Sequence, residues 1–319
     1  MKNFPLKALA SALSIALLLM VSGLQCPRRG EAPGREVGRE PVVGLKTAEG
    51  IKRLKMEEYV AGVVAGEMKR GWPLEAYKAQ AIVARSYALN SLTAGGTRPL
   101  GERALEPEHE EAQAYRPDQI TPEIRRAVQE TRGLVMEYRG VPIKAYFHSA
   151  SGGYTAKASD AGLVPEGKEP PYIKQVRSPE DRYAPPEVKS WEATFTSAEI
   201  LRALREKLGQ PVKGGLRDIV ISRKDTFGRA VDLTVLHGGG SVTVKANDLR
   251  TALDPERMRS TVLHRIEVKG ERVTVAGKGF GHGVGLSQWG AYAMAKEGRK
   301  AEEILQHYFP TVEIKRLWR

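Results

Sequence analysis

Glu67 is the residue whose surroundings point most directly to chemistry. It closes the stretch Val63-Val64-Ala65-Gly66-Glu67-Met68, where every neighbour is apolar or small. A carboxyl among such residues loses hydration, and desolvation favours its protonated form. A carboxylic acid kept neutral near pH 7 can serve as a general acid toward a glycosidic oxygen. The same letters also suit a carboxylate that points to solvent from a helix end. Glu57, Glu58 and Glu75 are read as solvated acids of that kind.

Two more clusters carry polar groups beside glycines. In His148-Ser149-Ala150-Ser151-Gly152-Gly153-Tyr154-Thr155, paired glycines permit close backbone approach while hydroxyls and an imidazole offer hydrogen bonds. A turn with capping hydroxyls fits equally. Neither Ser149 nor Ser151 sits in a Gly-x-Ser-x-Gly elbow, so a serine nucleophile is not indicated. In the second cluster glycines alternate from Gly279 to Gly285 around His282, and Ser287, Gln288 and Trp289 follow. Amides and hydroxyls beside an indole suit a sugar, whose apolar face stacks on aromatic rings. A glycine-loosened turn with His282 as a structural hydrogen bonder is the plainer alternative. The run lacks a Gly-Lys-Ser/Thr ending and dinucleotide-type spacing, which excludes a phosphate loop. His148, His282 and His307 are far apart in sequence and no His-Glu-x-x-His or Cys-x-x-Cys occurs, so no metal is expected.

The elements that must position these groups can be read from periodicity and punctuation. Glu57 to Met68 and Leu74 to Leu92 predict two helices, broken at Gly71-Trp72-Pro73. Gly95 to Pro117 reads as a loop, and Thr121-Pro122 as the start of another helix. Leu134 to Tyr138 and Val141 to Phe147 predict a hairpin around Arg139-Gly140. From Trp191 onward Thr196 and Glu199 form a capping box before a helix ending at Gly209. Strands are predicted over Leu216 to Ser222, Ala230 to His237, Ser241 to Lys245, Val262 to Val268 and Arg272 to Ala276. Helices at Leu286 to Glu297 and Ala301 to Tyr308 and a last strand complete an α+β chain of mixed helices and antiparallel strands.

The chain has 319 residues, 41% hydrophobic and 28% charged, enough for a sizeable core without disulfide staples. Its net charge of +12 is dispersed, with no dense basic run, which argues against nucleic acid and for fixed anions such as wall polymers or lipid head groups. Lys2 and Lys7 precede or border an apolar run ending near Leu24, so residues 1–25 are expected to be a signal peptide or membrane anchor. The single cysteine, Cys26, could carry a lipid. Residues 26–44 read as a Pro/Gly/Arg/Glu-rich flexible linker and 45–319 as the folded part, with a strand-rich subdomain at about 191–276. The expected location is the cell envelope, on the outer side of the cytoplasmic membrane, or the medium.

Four blocks in order resemble the stage II sporulation protein D family. They are Glu58 to Met68, Glu75 to Ala88, the His148 to Thr155 loop, and Gly279 to Pro310 including Gln306-His307-Tyr308-Phe309-Pro310. The resemblance implies one catalytic domain from about Leu45 that acts as a peptidoglycan lytic transglycosylase. Its substrate would be peptide-stripped glycan strands, cut between N-acetylmuramic acid and N-acetylglucosamine with 1,6-anhydro ends. Glu67 matches the family's catalytic glutamate, and one acid suffices where the sugar's own 6-hydroxyl attacks. His148, Ser149, Ser151, Gly153, His282, Ser287, Gln288 and Tyr308 are expected as sugar binders or transition-state donors, with Gln80, Arg85 and Tyr87 as supports. Some members bind zinc through cysteines after the His-Ser-x-Ser-Gly-Gly loop. With Cys26 the only cysteine, that site cannot form here and no cofactor is expected. The implied partners are glycan strands, a cell-wall amidase and, through the N-terminal segment, the cytoplasmic membrane. The alternative is a glycan-binding module without chemistry that enhances an N-acetylmuramoyl-L-alanine amidase.

Overall fold

In the computed structural model, which describes residues 38–47, 50–93, 104–105 and 113–319, the antiparallel pair β1 (Val42–Thr47) and β2 (Gly50–Lys55) runs directly into α1 (Met56–Glu67). That helix is apolar all round and is accordingly buried on nearly every side. Gly71, at φ +76°, breaks the path, and Pro73 precedes α2 (Leu74–Thr93), the second central helix. A short β3 (Ala104–Leu105) pairs with β1 in parallel. Next comes α3 (Pro122–Glu130), whose Thr121 Oγ accepts the Ile124 N–H at 3.4 Å.

β4 (Leu134–Tyr138) and β5 (Val141–Pro142) form the expected hairpin. Its turn residues Arg139 and Gly140 both take positive φ, the geometry that matches the strand twist. The second arm is shorter than the predicted Val141 to Phe147. After Pro142 the chain leaves the sheet, and β6 (Phe147–His148) pairs in parallel with β13 (Leu286–Ser287). Between them lie α4 (Pro186–Lys189), β7 (Trp191–Thr196), α5 (Ser197–Arg202), β8 (Leu216–Lys224), β9 (Ala230–His237), β10 (Gly240–Lys245), α6 (Ala246–Leu253), β11 (Val262–Lys269) and β12 (Arg272–Lys278). These strands make two antiparallel sheets, in the orders β10-β9-β8 and β11-β12-β7, around a core running from Trp191 to Val275. α7 (Gln288–Lys296), α8 (Ala301–Tyr308) and β14 (Glu313–Arg316), which pairs with β4, complete the α+β fold.

The capping box before α5 is present, with Thr196 Oγ accepting the Glu199 N–H at 3.1 Å and Glu199 accepting the Thr196 N–H at 2.6 Å. Thr196→Ala should cost about 1 kcal/mol in urea denaturation, the usual worth of an N-cap.

Two expectations are corrected. Residues 38–44 belong to the fold and not to a linker. Gly38 pairs with Trp318, Glu40 accepts from the Arg132 guanidinium and the Glu57 N–H, and β1 begins at Val42. Val43 and the strand edges it joins supply the apolar burial that the residues before it lack. Residues 1–25 and the rest of the expected linker lie outside the described residues.

Glu57 is not solvated. It is buried, ion-paired with Arg85 at 2.6 Å, and also accepts from the Trp318 indole at 2.8 Å and the Gly133 N–H at 3.0 Å. Its place in the first turn of α1 adds the favourable end of the helix dipole. Arg85 is therefore a pin between α1, α2 and the C-terminal segment, which corrects its expected role beside the site.

Candidate active site

Glu67 ends α1 and is half-buried. Residues 113–116 cross α1 over two glycines one turn apart. A side chain on Gly62 would collide with the Tyr115 ring, and one on Gly66 would meet the Ala114 carbonyl oxygen at 2.6 Å. Without side chains there, the Arg116 N–H reaches the Gly62 carbonyl at 2.9 Å and the Ala114 N–H reaches Glu67 Oε1 at 2.7 Å. The Gln288 side chain supplies a second hydrogen bond. Burial pushes the Glu67 carboxyl up to about 6, against the pull of these two donors. Its position at the negative end of the helix dipole acts in the same direction as burial.

Gly66→Ala should therefore displace residues 113–116, at about 1–3 kcal/mol for overpacking. It should also raise the Glu67 carboxyl further, because the Ala114 donor is lost. A ¹³C titration of the Glu67 carboxyl reads this without reference to any activity.

Gln288 owes its place to Ser287, which caps α7 by accepting the Gly290 N–H at 3.1 Å. The Trp289 N–H donates to the Ser149 carbonyl at 3.0 Å, tying the His148 to Thr155 loop to the start of α7. Trp289 packs on Trp72 with centroids 4.7 Å apart, Tyr292 lies against both, and Tyr183 lies 5.7 Å from Tyr292. Trp72 and Trp289 are buried and Tyr183 and Tyr292 half-buried, while the Lys69 ammonium stands 5.5 Å over the Trp289 ring. Gln288 thus links Glu67 to the start of α7, where Trp289 joins the Ser149 carbonyl to an aromatic cluster that is half-buried at Tyr183 and Tyr292.

The other predicted site residues point elsewhere. Glu180, 2% exposed, is a hub onto which Ser151 Oγ at 2.9 Å, Ser287 Oγ at 2.8 Å, the Gly152 N–H at 2.6 Å and the Gly153 N–H at 3.3 Å all donate. Ser178 Oγ completes the set and lies 2.9 Å from the Tyr308 hydroxyl. Buried Ser151, Ser287 and Tyr308 are corrected from sugar binders to parts of this inward network, whereas Gly153 gives it only its N–H and stays half-buried.

His148 donates from Nδ1 to the Val284 carbonyl at 3.0 Å, and His282 Nδ1 accepts the Val284 N–H at 3.0 Å. Burial holds His148 well below the usual imidazole range and, with the Arg250 and Arg229 charges, lowers His282 to about 3. Both rings are neutral near pH 7, so neither serves there as a charged donor. Gln80 is buried on α2, and Tyr87 is buried with its ring 6.4 Å from that of Tyr146.

The alternating glycines also have a structural reason. Gly279, Gly281, Gly283 and Gly285 all take positive φ. Side chains would meet the Ala150 carbonyl oxygen at 2.9 Å, His148 Cβ at 2.8 Å, the Arg229 guanidinium at 2.7 Å and the Tyr146 carbonyl, respectively. The run packs closely on residues 146–152 and on the Arg229 guanidinium, which is what its glycines permit.

Sequence reasoning missed Glu180, Ala114, Trp72 and Tyr292. Trp72, between Gly71 and Pro73, carried a usable signal as a large apolar residue at a helix break, whereas nothing local marks Glu180.

The family model described as "Stage II sporulation protein" matches residues 45–138, and one described as "Domain of unknown function (DUF8618)" matches residues 166–285. Stage II sporulation protein D of Bacillus subtilis (strain 168) is 32% identical over 280 residues, covering 83% of this chain and 76% of that protein. The protein of the same name from Bacillus amyloliquefaciens is 30% identical over 356 aligned positions, with 97% and 95% covered. An "Amidase enhancer" of Bacillus subtilis (strain 168) is 28% identical over 290 residues, covering 78% of this chain but 39% of that protein. The chain belongs to the stage II sporulation protein D family.

Proposed function

We propose that the protein is a lytic transglycosylase of peptidoglycan glycan strands, with Glu67 as its single catalytic acid, acting in wall remodelling connected with sporulation. The observation that carries this reading is the Glu67 carboxyl, raised to about 6 by burial and oriented by Ala114 and Gln288. Neither of those two hydrogen-bond partners is an acid, in keeping with a reaction that needs no second carboxylate to activate water. Protonated Glu67 gives its proton to the glycosidic oxygen as the C1–O bond breaks. The resulting carboxylate then takes the proton of the muramyl 6-hydroxyl, whose oxygen bonds to C1 and closes the 1,6-anhydro ring.

Tyr183 and Tyr292 offer ring faces for the flanking sugars. The likeness to a protein named "Amidase enhancer" supports an amidase as partner, one that would strip stem peptides before this step. The net charge of +12 supports a site of action among anionic wall polymers outside the cytoplasmic membrane.

Mass spectrometry of peptide-free glycan strands after incubation with the protein tests the reading. Anhydro-muramyl ends formed by the parent and absent with Glu67→Gln are the expected result. Plain reducing ends would mean hydrolysis, and intact strands that co-sediment with the protein would make it a binding enhancer.

A further inference from the structure

A cavity of about 380 Å³ shares no lining residue with the partners of Glu67 or the aromatic cluster at α7. Its walls come from the 152–154 loop, the turn between β8 and β9, and Lys278 at the end of β12. Tyr154 and Phe227 stack there with centroids 3.9 Å apart and planes within 5°, yet they remain 38% and 45% exposed. A stacked pair that serves only packing is normally covered, whereas aromatic faces left open beside a cavity are what a sugar ring uses.

The backbone under both rings is braced. Buried Arg229 donates to the carbonyls of Ser151 at 2.5 Å and Tyr154 at 3.1 Å. Asp225 accepts the N–H groups of Phe227 and Arg229, each at 2.9 Å, and the Gln175 amide at 2.9 Å. The rings are thus held in place before any ligand arrives, which lowers the ordering cost of binding.

Charge narrows the ligand. Arg177 and Lys278 line the cavity, are exposed, and have no ion-pair partner among the described residues. Arg229 spends its donors on carbonyls and Thr261, and Asp225 is engaged as above. Exposed Asp181 at the same cavity opposes a doubly charged anion such as phosphate. We propose that this cavity binds an anionic saccharide, a pyranose carrying one carboxylate, with its ring on Phe227 and Tyr154 and its carboxylate toward Arg177 and Lys278. The site stands apart from the Glu67 chemistry and would hold a strand at a point other than the bond being cut.

Isothermal titration of the full chain with N-acetylmuramic acid, N-acetylglucosamine and inorganic phosphate tests this. The carboxylate sugar should bind best and weaken with added salt. Phe227→Ala should reduce its affinity about tenfold, while the pair Arg177→Gln and Lys278→Gln should reduce it similarly and leave N-acetylglucosamine unchanged. Phe227 is on an exposed turn, and unchanged thermal melting of its variant separates lost binding from lost fold. Parent-level binding by Phe227→Ala, no binding by the parent, equal competition by phosphate, or loss of all binding on Trp289→Ala alone would each overturn the proposal. None of these readouts depends on turnover, so failure here and failure of the transglycosylase reading are separable.

Discussion

Glu67→Gln should lower formation of anhydro-muramyl ends roughly 10²- to 10⁴-fold, the usual contribution of a general acid, while making the protein more stable at neutral pH. The two effects have one cause. The folded protein holds this carboxyl at about 6 against an ordinary value of 4.5, mainly through burial. Because the folded value is the higher one, the protonated form is favoured by folding. Its stabilising contribution is complete below about pH 4.5 and is lost as pH rises through about 6. At pH 7.5 the charged carboxylate therefore costs the fold about 1–2 kcal/mol, a range that allows for partial exposure.

Glutamine keeps an oxygen for the Ala114 N–H and carries no charge. Thermal melts of parent and variant should differ at pH 7.5 and coincide at pH 4. An equal gap at both values would show that the carboxyl is not held protonated. The parent's rate should likewise fall above about pH 6, and a rate still rising to pH 8 would remove Glu67 as the acid.

Glu180→Ala should cost about 3–5 kcal/mol, the range for removing one partner from a buried charged network. Five groups, the hydroxyls of Ser151, Ser178 and Ser287 and the N–H groups of Gly152 and Gly153, converge on this one carboxylate. The three buried hydroxyls would lose this acceptor, and the two half-buried N–H groups would lose theirs. The loss also reaches the site. Ser287 caps α7 and so places Gln288, and Ser149 sits in the same loop as Ser151. Urea denaturation together with turnover measures both consequences. Glu180→Gln, which retains one carbonyl acceptor, should cost about 1–3 kcal/mol. A change within 0.5 kcal/mol for the alanine variant would mean that Glu180 is not the hub, since that is the scatter of ordinary surface substitutions.

Much of the architecture was legible because its causes are local. Apolar runs, Pro and Gly breaks, and the Thr196 and Glu199 box specify helices within a few residues, and Arg139-Gly140 specifies its own turn. Glu67 was legible only as a candidate, since its apolar neighbours on α1 suit a desolvated acid and a solvent-pointing one alike, and the burial and the Ala114 and Gln288 donors come from the fold. Glu57 was misread because its partners are remote: Arg85 lies 28 residues away and Trp318 lies 261. A local window shows an acid at a helix start and nothing of the guanidinium that buries it.

Ser151 and Ser287 were recognised as polar residues of interest, yet sequence carries no sign of which way a hydroxyl faces. That depends on Glu180, which itself looks like an ordinary surface acid between Pro179 and Asp181. The glycines from Gly279 to Gly285 announced close approach but not of what, and the answer was residues 146–152 together with the Arg229 guanidinium. By itself the sequence determined the central helices and most of the strands after Leu134, but not the β1–β2 pair or the end of the second hairpin arm, and it marked Glu67 as a candidate acid. Only the tertiary structure decided which polar groups turn inward. A buried donor or acceptor must find its partner wherever the fold supplies one, and that choice is made across the chain and not along it.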